Sequence, residues 1–283
     1  MAPETLRSAL TYISNQFLSG NIADSNEAFD TVLQSLHLED ECCGVSATTT
    51  VHNNTSSSCI AHQVFGLTFI EQISCLHCGA TSEPTLTSAF SLLINASEVI
   101  SYAKKNKKKK NVDFSFGKIL SLCLEGASSC GGKCNNSSCT STTTSTKRST
   151  HLIDSPSAIA LSIGWESTQE STEALLSFYN SISYVLNATD LLSSNHSATG
   201  QLNPESLLNE ANMYYFRGMV CFYGCHYVFI YRDGVNAASE PLFLLFDDSK
   251  IRPLGSHWEE VMQECLKAKY QPVLLLYERR EGI

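Results

Sequence analysis

The sequence predicts an α+β fold in which helices come first and a mainly antiparallel sheet follows. Residues 3–20 and 24–36 carry apolar side chains at helical spacing. After Pro156 the chain changes to short runs rich in β-branched, aromatic and leucine residues, separated mostly by loops. Helices followed by strands are typical of α+β folds, whereas a parallel α/β sheet requires the two to alternate.

Two helices are predicted at the N-terminal end. The first begins at Pro3 and ends near Gly20, and the second begins after Asp24, with Glu27 three residues later as a capping-box variant. The apolar residues that these helices would bury are Leu6, Leu10, Ile13 and Phe17 in the first, and Phe29, Val32, Leu33 and Leu36 in the second.

The sheet is predicted from five strand-like runs. One helix separates the last two, and Ser256 with Glu259 forms a capping box at its start. The runs are Ala158–Ile163, Tyr214–Phe222, His226–Tyr231, Leu242–Phe246 and Val273–Tyr277.

The composition indicates a globular protein with a substantial core. Of its 283 residues, 43% are hydrophobic and 17% are charged. The net charge of -9 argues against a general nucleic-acid binder, because such proteins meet phosphates with many basic side chains. No run approaches the roughly 18 consecutive apolar residues of a membrane span, and no secretory signal is present. We therefore expect an intracellular, cytoplasmic protein without nucleic-acid or membrane partners.

Three polar segments are predicted to be insertions. Residues 44–58 and 135–150 are rich in Ser and Thr and offer little to bury. The run Lys104–Lys110, interrupted only by Asn106, is interpreted as a solvated charge block. A nuclear-localisation signal is the alternative for this run, which leaves a nuclear location open.

The cysteines predict a structural zinc site. Twelve cysteines are too few for a disulfide scaffold in a chain of this length, and their short spacings are typical of metal ligation. Cys75 and Cys78 form half of a site, and Cys130 with Cys134 would complete four thiolate ligands. Cys123 and Cys139 are competing choices. The alternative is a set of partly buried thiols that bind no metal.

A second half-site is conceivable at Cys59 and His62. These two residues could join Cys42 or Cys43 across the insertion of residues 44–58. The alternative is that His62 is simply a packed histidine.

His226 and Asp247 are predicted to be neighbours. His226 opens one predicted strand and Asp247 closes the next, so antiparallel pairing would bring the two together. A carboxylate beside an imidazole fixes its tautomer and suits a general base for a thiol nucleophile. On these residues alone, a surface hydrogen bond without catalytic meaning is the alternative.

Several ordered motifs resemble those of the ubiquitin-specific proteases. The run Tyr215–Tyr227 resembles the histidine box of that family, Phe246–Ile251 the box of its third catalytic residue, and Gln271–Tyr277 its closing strand. Upstream, His62–Gly66 and Cys75–Gly79 also match. The resemblance is closest to the branch regarded as catalytically inactive, in which a Gly-Trp pair, here Gly164 and Trp165, follows the second cysteine cluster.

The resemblance implies a papain-like cysteine protease fold, truncated at its N-terminus, with ubiquitin or a ubiquitinated protein as the partner. Residues 1–41 would be the remnant of a helical thumb, 59–151 the zinc-bearing fingers and 152–283 the palm. The family hydrolyses isopeptide bonds through an acyl-enzyme. The roles carried over are general base for His226, orienting partner for Asp247 and nearby polar contributor for Asp248.

The nucleophile box is missing from the expected place. In the family it precedes the acidic helix that residues 24–36 resemble, yet residues 1–41 contain no cysteine, and Cys42 and Cys43 follow that helix. Cys225 also replaces a glycine that active members usually have before the histidine. We therefore expect an inactive domain that binds ubiquitin. The alternatives are an active cysteine-type deubiquitinase whose cysteine box lies upstream, and a zinc-stabilised scaffold without ubiquitin binding.

Overall fold

A computed structural model of the chain describes residues 3–18, 24–38, 59–108, 115–126, 134, 136–140, 146–152, 156–191, 212–233 and 242–279. The helices within these ranges are α1 (Pro3–Ile13), α2 (Ser25–Leu38), α3 (Ile60–Phe65), α4 (Ala96–Lys108), α5 (Phe116–Gly126), α6 (Thr172–Tyr179) and α7 (Trp258–Ala268). No helix in the described part of the chain combines the length and the apolarity needed to cross a lipid bilayer.

The strands form one large and one small sheet. They are β1 (Leu67–Cys75), β2 (Thr85–Ala89), β3 (Leu92–Asn95), β4 (Thr146–Leu152), β5 (Ala158–Gly164), β6 (Val185–Asn187), β7 (Met213–Tyr223), β8 (His226–Asp233), β9 (Leu242–Asp247), β10 (Lys250–Gly255) and β11 (Gln271–Arg279).

The large sheet is antiparallel except at one edge. Its order is β10-β9-β8-β7-β11-β5-β3, and β6 pairs with β7 off this path. Only β3 runs parallel to its neighbour, β5, among the pairings of the described residues. The mixed α+β class and the mainly antiparallel sheet are therefore as the sequence predicts, and the five predicted strands are β5, β7, β8, β9 and β11.

The core lies between the large sheet and the helices that cover it. Tyr179, Tyr214 and Tyr277 are fully buried there. Each phenol has a backbone acceptor: Tyr179 donates to the carbonyl of Tyr270 at 2.8 Å and Tyr277 to that of Ser183 at 2.8 Å, and Tyr214 donates to the carbonyl of Pro156. Buried hydroxyls thus keep their hydrogen bonds, which avoids the cost of an unpaired polar group.

The small sheet, in the order β2-β1-β4, carries cysteines at its far end. Cys75, the last residue of β1, pairs with Thr146, the first residue of β4. The segment between β2 and β4 does not all belong to this sheet, because β3 joins the large sheet and α4 and α5 pack near it. The expected unit of residues 59–151 therefore divides between the two sheets.

Part of the predicted charge block is helical. Residues 104–108 form the end of α4, where Lys104 lies 3.7 Å from Glu173 and Lys105 lies over the ring of Tyr102. Lys109 and Lys110 lie outside the described residues. The Ser/Thr-rich segment 135–150 likewise contains the start of β4, because Thr is a good strand former when it pairs with a neighbour.

Two predicted helix ends were wrong. The box at α7 uses His257 and Glu260 rather than Ser256 and Glu259, because the helix begins one residue later than the sequence suggested. The Glu260 carboxylate accepts from the N–H groups of both Ser256 and His257, at 3.1 and 3.4 Å. Helix α1 ends at Ile13 and not near Gly20, since a short 3-10 turn follows.

Candidate functional site

His226 is held at the start of β8 by a two-residue hairpin loop. Tyr223 pairs with His226, so only Gly224 and Cys225 form the turn between β7 and β8. Gly224 has φ of 66°, a value that suits glycine at the first position of such a loop. The position of the imidazole therefore follows from the shortness of the turn.

Asp247 is the last residue of β9 and lies beside His226. The register Phe229↔Phe246 brings the start of β8 to the end of β9. His226 Nε2 lies 2.7 Å from Asp247 Oδ1, which confirms that the two are neighbours. Asp248 follows with φ of 51°, a conformation that aspartate tolerates, and its carboxylate lies within 4.8 Å of the other two groups.

The pair has the arrangement of an oriented general base. Since Nε2 bonds to Asp247, Nδ1 is the ring nitrogen that would exchange a proton with a nucleophile. Among the described residues, the group of His, Cys and carboxylate side chains gathered here consists of His226, Asp247 and Asp248, without a cysteine sulfur. The side chains are 36% and 41% exposed, so their ion pair adds at most about 1 kcal/mol to stability.

A cleft of about 930 Å³ separates the start of α2 from the large sheet. Tyr227, the residue after His226, lines it, and no basic side chain does so among the described residues. Burial raises the pKa of Tyr227, and the nearby Asp24 carboxylate raises it further. The other acidic residues of the cleft lining are Glu27, Asp30 and Glu166.

One wall of the cleft is fastened to β11. Trp165 Nε1 donates to the carbonyl of Pro272 at 2.6 Å. Gln271 accepts from the N–H of Glu170 at 3.2 Å and donates to the carbonyl of Ser167 at 2.8 Å. The loop after Gly164 is thereby fixed, and the cleft is largely formed before any ligand arrives.

Four cysteines come together at the tip of the small sheet. The sulfurs of Cys75, Cys78, Cys134 and Cys139 lie within 4.8 Å of one another. Cys78 Sγ is 3.6 Å from Cys134 Sγ, and Cys75 Sγ is 3.9 Å from Cys139 Sγ. Thiolates about 2.3 Å from one tetrahedral zinc would be about 3.8 Å apart. The cluster therefore has the ligand type and the spacing for a zinc ion.

The backbone around this cluster supports thiolates. Residues 75–79 form a tight turn, in which the N–H of Gly79 donates to the carbonyl of Cys75 at 2.9 Å. Backbone N–H groups of Cys78 and His77 point at the Cys75 sulfur and lower the pKa of its thiol to about 6. The N–H of Asn136 donates to Cys134 Sγ at 3.4 Å. Such donors orient thiolate ligands and stabilise their charge.

Three of the four predicted ligands lie in the cluster, and the fourth predicted ligand is not among the described residues. Cys75, Cys78 and Cys134 converge, and Cys139, which the sequence offered as a competing choice, is the fourth. Cys130 lies outside the described residues, as do Cys42 and Cys43. Spacing alone could not choose between Cys130 and Cys139, since the turn at residues 136–139 that brings Cys139 inward is not a sequence pattern.

Comparison with known proteins identifies the family. The sequence pattern described as "Ubiquitin carboxyl-terminal hydrolase" matches residues 1–277. The chain belongs to this family. It is 29% identical to ubiquitin carboxyl-terminal hydrolase 54 of Mus musculus over 99% of the chain, and 22% identical to ubiquitin carboxyl-terminal hydrolase 53 of Homo sapiens over 94%. The chain covers only 16% and 23% of the length of these two relatives.

Solved structures show that the fold is that of the family. One such structure is the SAGA deubiquitinating module of Ubp8, Sgf11, Sus1 and Sgf73 bound to monoubiquitin. It matches 98% of this chain with a TM-score of 0.55. The same module bound to ubiquitin aldehyde matches 96% with a TM-score of 0.54. The sequences are 17% and 19% identical, and the match covers 53% of each solved chain.

Proposed function

We propose that this 283-residue chain is a ubiquitin-binding domain that does not cleave ubiquitin conjugates. The observation that carries the proposal is the pairing of His226 with Asp247 at 2.7 Å, in a group that includes Asp248 but no cysteine sulfur within 4.8 Å of all three among the described residues. In the family, hydrolysis proceeds by attack of a thiolate on the carbonyl carbon of the C-terminal glycine of ubiquitin, which forms an acyl-enzyme and releases the amine. Here His226 would be the general base and Asp247 its orienting partner, with Asp248 as a nearby polar group, but no thiol of the described residues joins their group.

The acidic cleft supports binding of the ubiquitin tail. Asp24, Glu27, Asp30 and Glu166 line it without a basic side chain among the described residues, so it suits an extended and positively charged peptide. We infer that the C-terminal tail of ubiquitin is the peptide that occupies this cleft. Solved relatives of this fold hold monoubiquitin and ubiquitin aldehyde. In the proposed arrangement, residues 1–41 belong to the thumb, the small sheet to the fingers and the large sheet to the palm, with ubiquitin between them.

We further propose that Cys75, Cys78, Cys134 and Cys139 hold a structural zinc ion at the tip of the fingers. Their sulfur separations of 3.6 and 3.9 Å match thiolates around one tetrahedral ion. Zinc would supply no chemistry there, because four protein ligands leave no open position. The ion would fasten the turn after β1 to Cys134 and Cys139, which lie outside the helices and strands of the described part of the chain.

The proposed location is intracellular and cytoplasmic. Thiolate ligands survive in a reducing compartment, and the described cysteines form no disulfide. Fluorescence microscopy of the tagged chain tests this, and nuclear accumulation that depends on Lys104–Lys110 would favour the nuclear alternative.

Ubiquitin binding is tested by titrating isotope-labelled ubiquitin with the chain and following its NMR signals. We expect shifts that centre on the C-terminal tail of ubiquitin, and charge reversal at Asp30→Lys or Glu166→Lys should weaken binding at least tenfold. Glu259→Lys is the matched control, because Glu259 is exposed on α7 and does not line the cleft. Absence of any shift with the unaltered chain would favour a scaffold that has lost ubiquitin binding.

A further inference from the structure

A second group of metal-ligating side chains lies at the junction of α2 and α3. Cys59 Sγ is 3.7 Å from His37 Nδ1, and the rings of His37 and His62 have centroids 4.4 Å apart. One ligand atom from each of the three residues lies within 4.8 Å of the others. These residues are separate in sequence and structure from the cluster of four cysteines, and the proposed function does not use them.

The backbone fixes this arrangement. His37 is one residue from the end of α2, and Cys59 immediately precedes α3. His62 lies three residues after Cys59, a spacing that places both side chains on the same side of a helical turn. The side chain of Cys59 makes no capping bond to α3, although a residue in this position commonly does so. Its sulfur is turned toward the histidines.

Apolar packing around the three residues holds the two helices in place. Phe29 of α2 and Phe65 of α3 pack edge to face with ring centroids 5.3 Å apart. Cys59 has no exposed surface, and Leu33 and Ala61 are buried beside it. The ligand atoms are therefore presented by a preformed junction, as a structural metal site requires.

The atoms match zinc in kind and in distance. A thiolate at about 2.3 Å and an imidazole nitrogen at about 2.0 Å from a tetrahedral zinc would be about 3.6 Å apart. The separation of Cys59 Sγ and His37 Nδ1 is 3.7 Å. One thiolate with two imidazoles is a soft to borderline donor set, which favours zinc over calcium or magnesium.

We propose that His37, Cys59 and His62 bind a zinc ion that locks the end of α2 to the start of α3. The consequence reaches the cleft, because α2 carries Glu27 and Asp30, and Asp24 lies directly before it. The two histidines themselves line a smaller cavity of about 430 Å³ that includes Asp30. The ion thus sets the orientation of the helix that, with the residue before it, supplies three of the four acidic residues of the cleft lining.

Packing without metal is the competing explanation. His37 and His62 lie 5.9 and 5.3 Å from the ring of Phe90, which is typical of aromatic contacts. Aromatic packing accounts for the rings, and an S–H···N hydrogen bond would account for the 3.7 Å between Cys59 Sγ and His37 Nδ1 without a metal. The two explanations predict different metal contents and different ligand atoms.

The decisive measurement uses the unaltered chain, purified under reducing conditions with zinc. We expect more zinc per chain than the cysteine cluster alone can hold, and X-ray absorption at the zinc edge should show nitrogen as well as sulfur neighbours. A first shell of sulfur only would overturn the proposal. This result does not depend on whether any variant folds.

Variants then assign the nitrogen ligands. In a Cys78→Ser/Cys134→Ser background, which removes the cysteine cluster, the remaining zinc should have one sulfur and two nitrogen ligands from the chain. Cys59→Ser or His37→Gln should release one zinc from the otherwise unaltered chain, whereas Cys225→Ser, which changes an exposed cysteine outside both groups, should release none. Retention of zinc and of nitrogen neighbours in both Cys59→Ser and His37→Gln would overturn the assignment.

Discussion

Trp165 donates its indole N–H to the carbonyl of Pro272 at 2.6 Å, a bond that spans 107 residues of sequence. Trp165 belongs to the cleft wall, and Pro272 lies in β11, an interior strand of the large sheet between β7 and β5. The wall is therefore held by a strand that is paired on both sides. The position of Trp165 should depend on this polar contact and on the packing of the indole against Phe178, at a centroid distance of 5.0 Å, and the two hydrogen bonds of Gln271 hold the rest of the wall.

Trp165→Phe should loosen the cleft wall. The phenyl ring keeps part of the packing but leaves the Pro272 carbonyl without this donor, so we expect a loss of about 1–2 kcal/mol in the free energy of unfolding. Urea denaturation measures this loss. Ubiquitin binding should weaken as well, because the wall must then be ordered on binding.

Trp258→Phe is the control for that experiment. Trp258 packs against Phe216 at a centroid distance of 5.3 Å and does not line the cleft. This variant should also lose stability, but its affinity for ubiquitin should stay within about twofold of the unaltered chain. Equal effects of both variants on affinity would contradict a specific role for Trp165.

Stability should fall at alkaline pH. Burial raises the pKa of Cys123 to about 12, with a further contribution from Glu98, and burial likewise raises the pKa of Cys265 to about 12. Unfolding returns these thiols to a pKa near 9.0, so the unfolded state loses protons that the folded state keeps. The contribution is complete below about pH 9 and declines as the pH rises toward about 12, by up to about 1.4 kcal/mol per pH unit for each thiol.

The measurement is urea denaturation in the presence of reductant from about pH 8 to about pH 11. Cys123→Ala and Cys265→Ala should each reduce the slope of the free energy of unfolding against pH, because each removes one thiol that loses its proton on unfolding. Each variant should also lose an amount of stability that does not depend on pH, because the smaller side chain leaves a cavity. A decline of unchanged steepness in both variants would assign the alkaline loss to other groups.

The strands of the large sheet could be predicted because each is dense in residues that suit a half-buried pleated surface. Residues 158–163 match β5 closely for this reason. Strand β10, in contrast, has an almost wholly exposed edge position and polar residues, so no pattern marks it. Helix α4 was obscured by its lysines, one of which, Lys104, lies 3.7 Å from Glu173. Local signals therefore identified the five interior strands of the large sheet and missed its exposed edge strand β10, and they also missed α5 and α6, although both helices carry buried side chains.

Some residues of the candidate sites could be paired from the sequence, and others could not. His226 and Asp247 could be paired in advance because a hairpin fixes which strand ends meet. Nothing in the sequence favoured Cys139 over Cys130. The sequence also could not join His37 to Cys59, because 22 residues separate them and only the packing of α2 on α3 brings them together. Residues brought together by tertiary packing leave no spacing pattern.

The fourth ligand of the cysteine cluster can be decided by zinc analysis. Cys139→Ser should lower the zinc content by one ion per chain, or weaken its retention against a chelator by at least tenfold, because three thiolates bind less tightly than four. Cys130→Ser should leave both unchanged. The reverse pattern would show that Cys130 completes the site and that Cys139 is a neighbour that does not bind the metal.

The last prediction is that this 283-residue chain neither hydrolyses a fluorogenic ubiquitin substrate nor reacts with an electrophilic ubiquitin probe. Residues 1–41 contain no cysteine, and the group around His226 contains only carboxylates among the described residues. Water could replace a thiol in principle, but loss of the nucleophile from such a triad typically lowers kcat by a factor of about 10⁴ or more. Turnover should therefore be undetectable in an ordinary assay.

The probe also separates this prediction from its main alternative. Cys225 is exposed and next to His226, and Cys42 and Cys43 follow α2, so each is a test position. Labelling that disappears with Cys225→Ser, or with Cys42→Ser and Cys43→Ser together, would show that a different cysteine serves as nucleophile, and the chain would be an active deubiquitinase. Asp247→Ala should then slow that labelling, because His226 would lose the carboxylate that orients it. If no labelling is seen, Asp247→Ala should change only the ring orientation of His226, which NMR can measure. The free energy of unfolding should then change by less than about 1 kcal/mol, because the side chains of His226 and Asp247 are both at least about a third exposed.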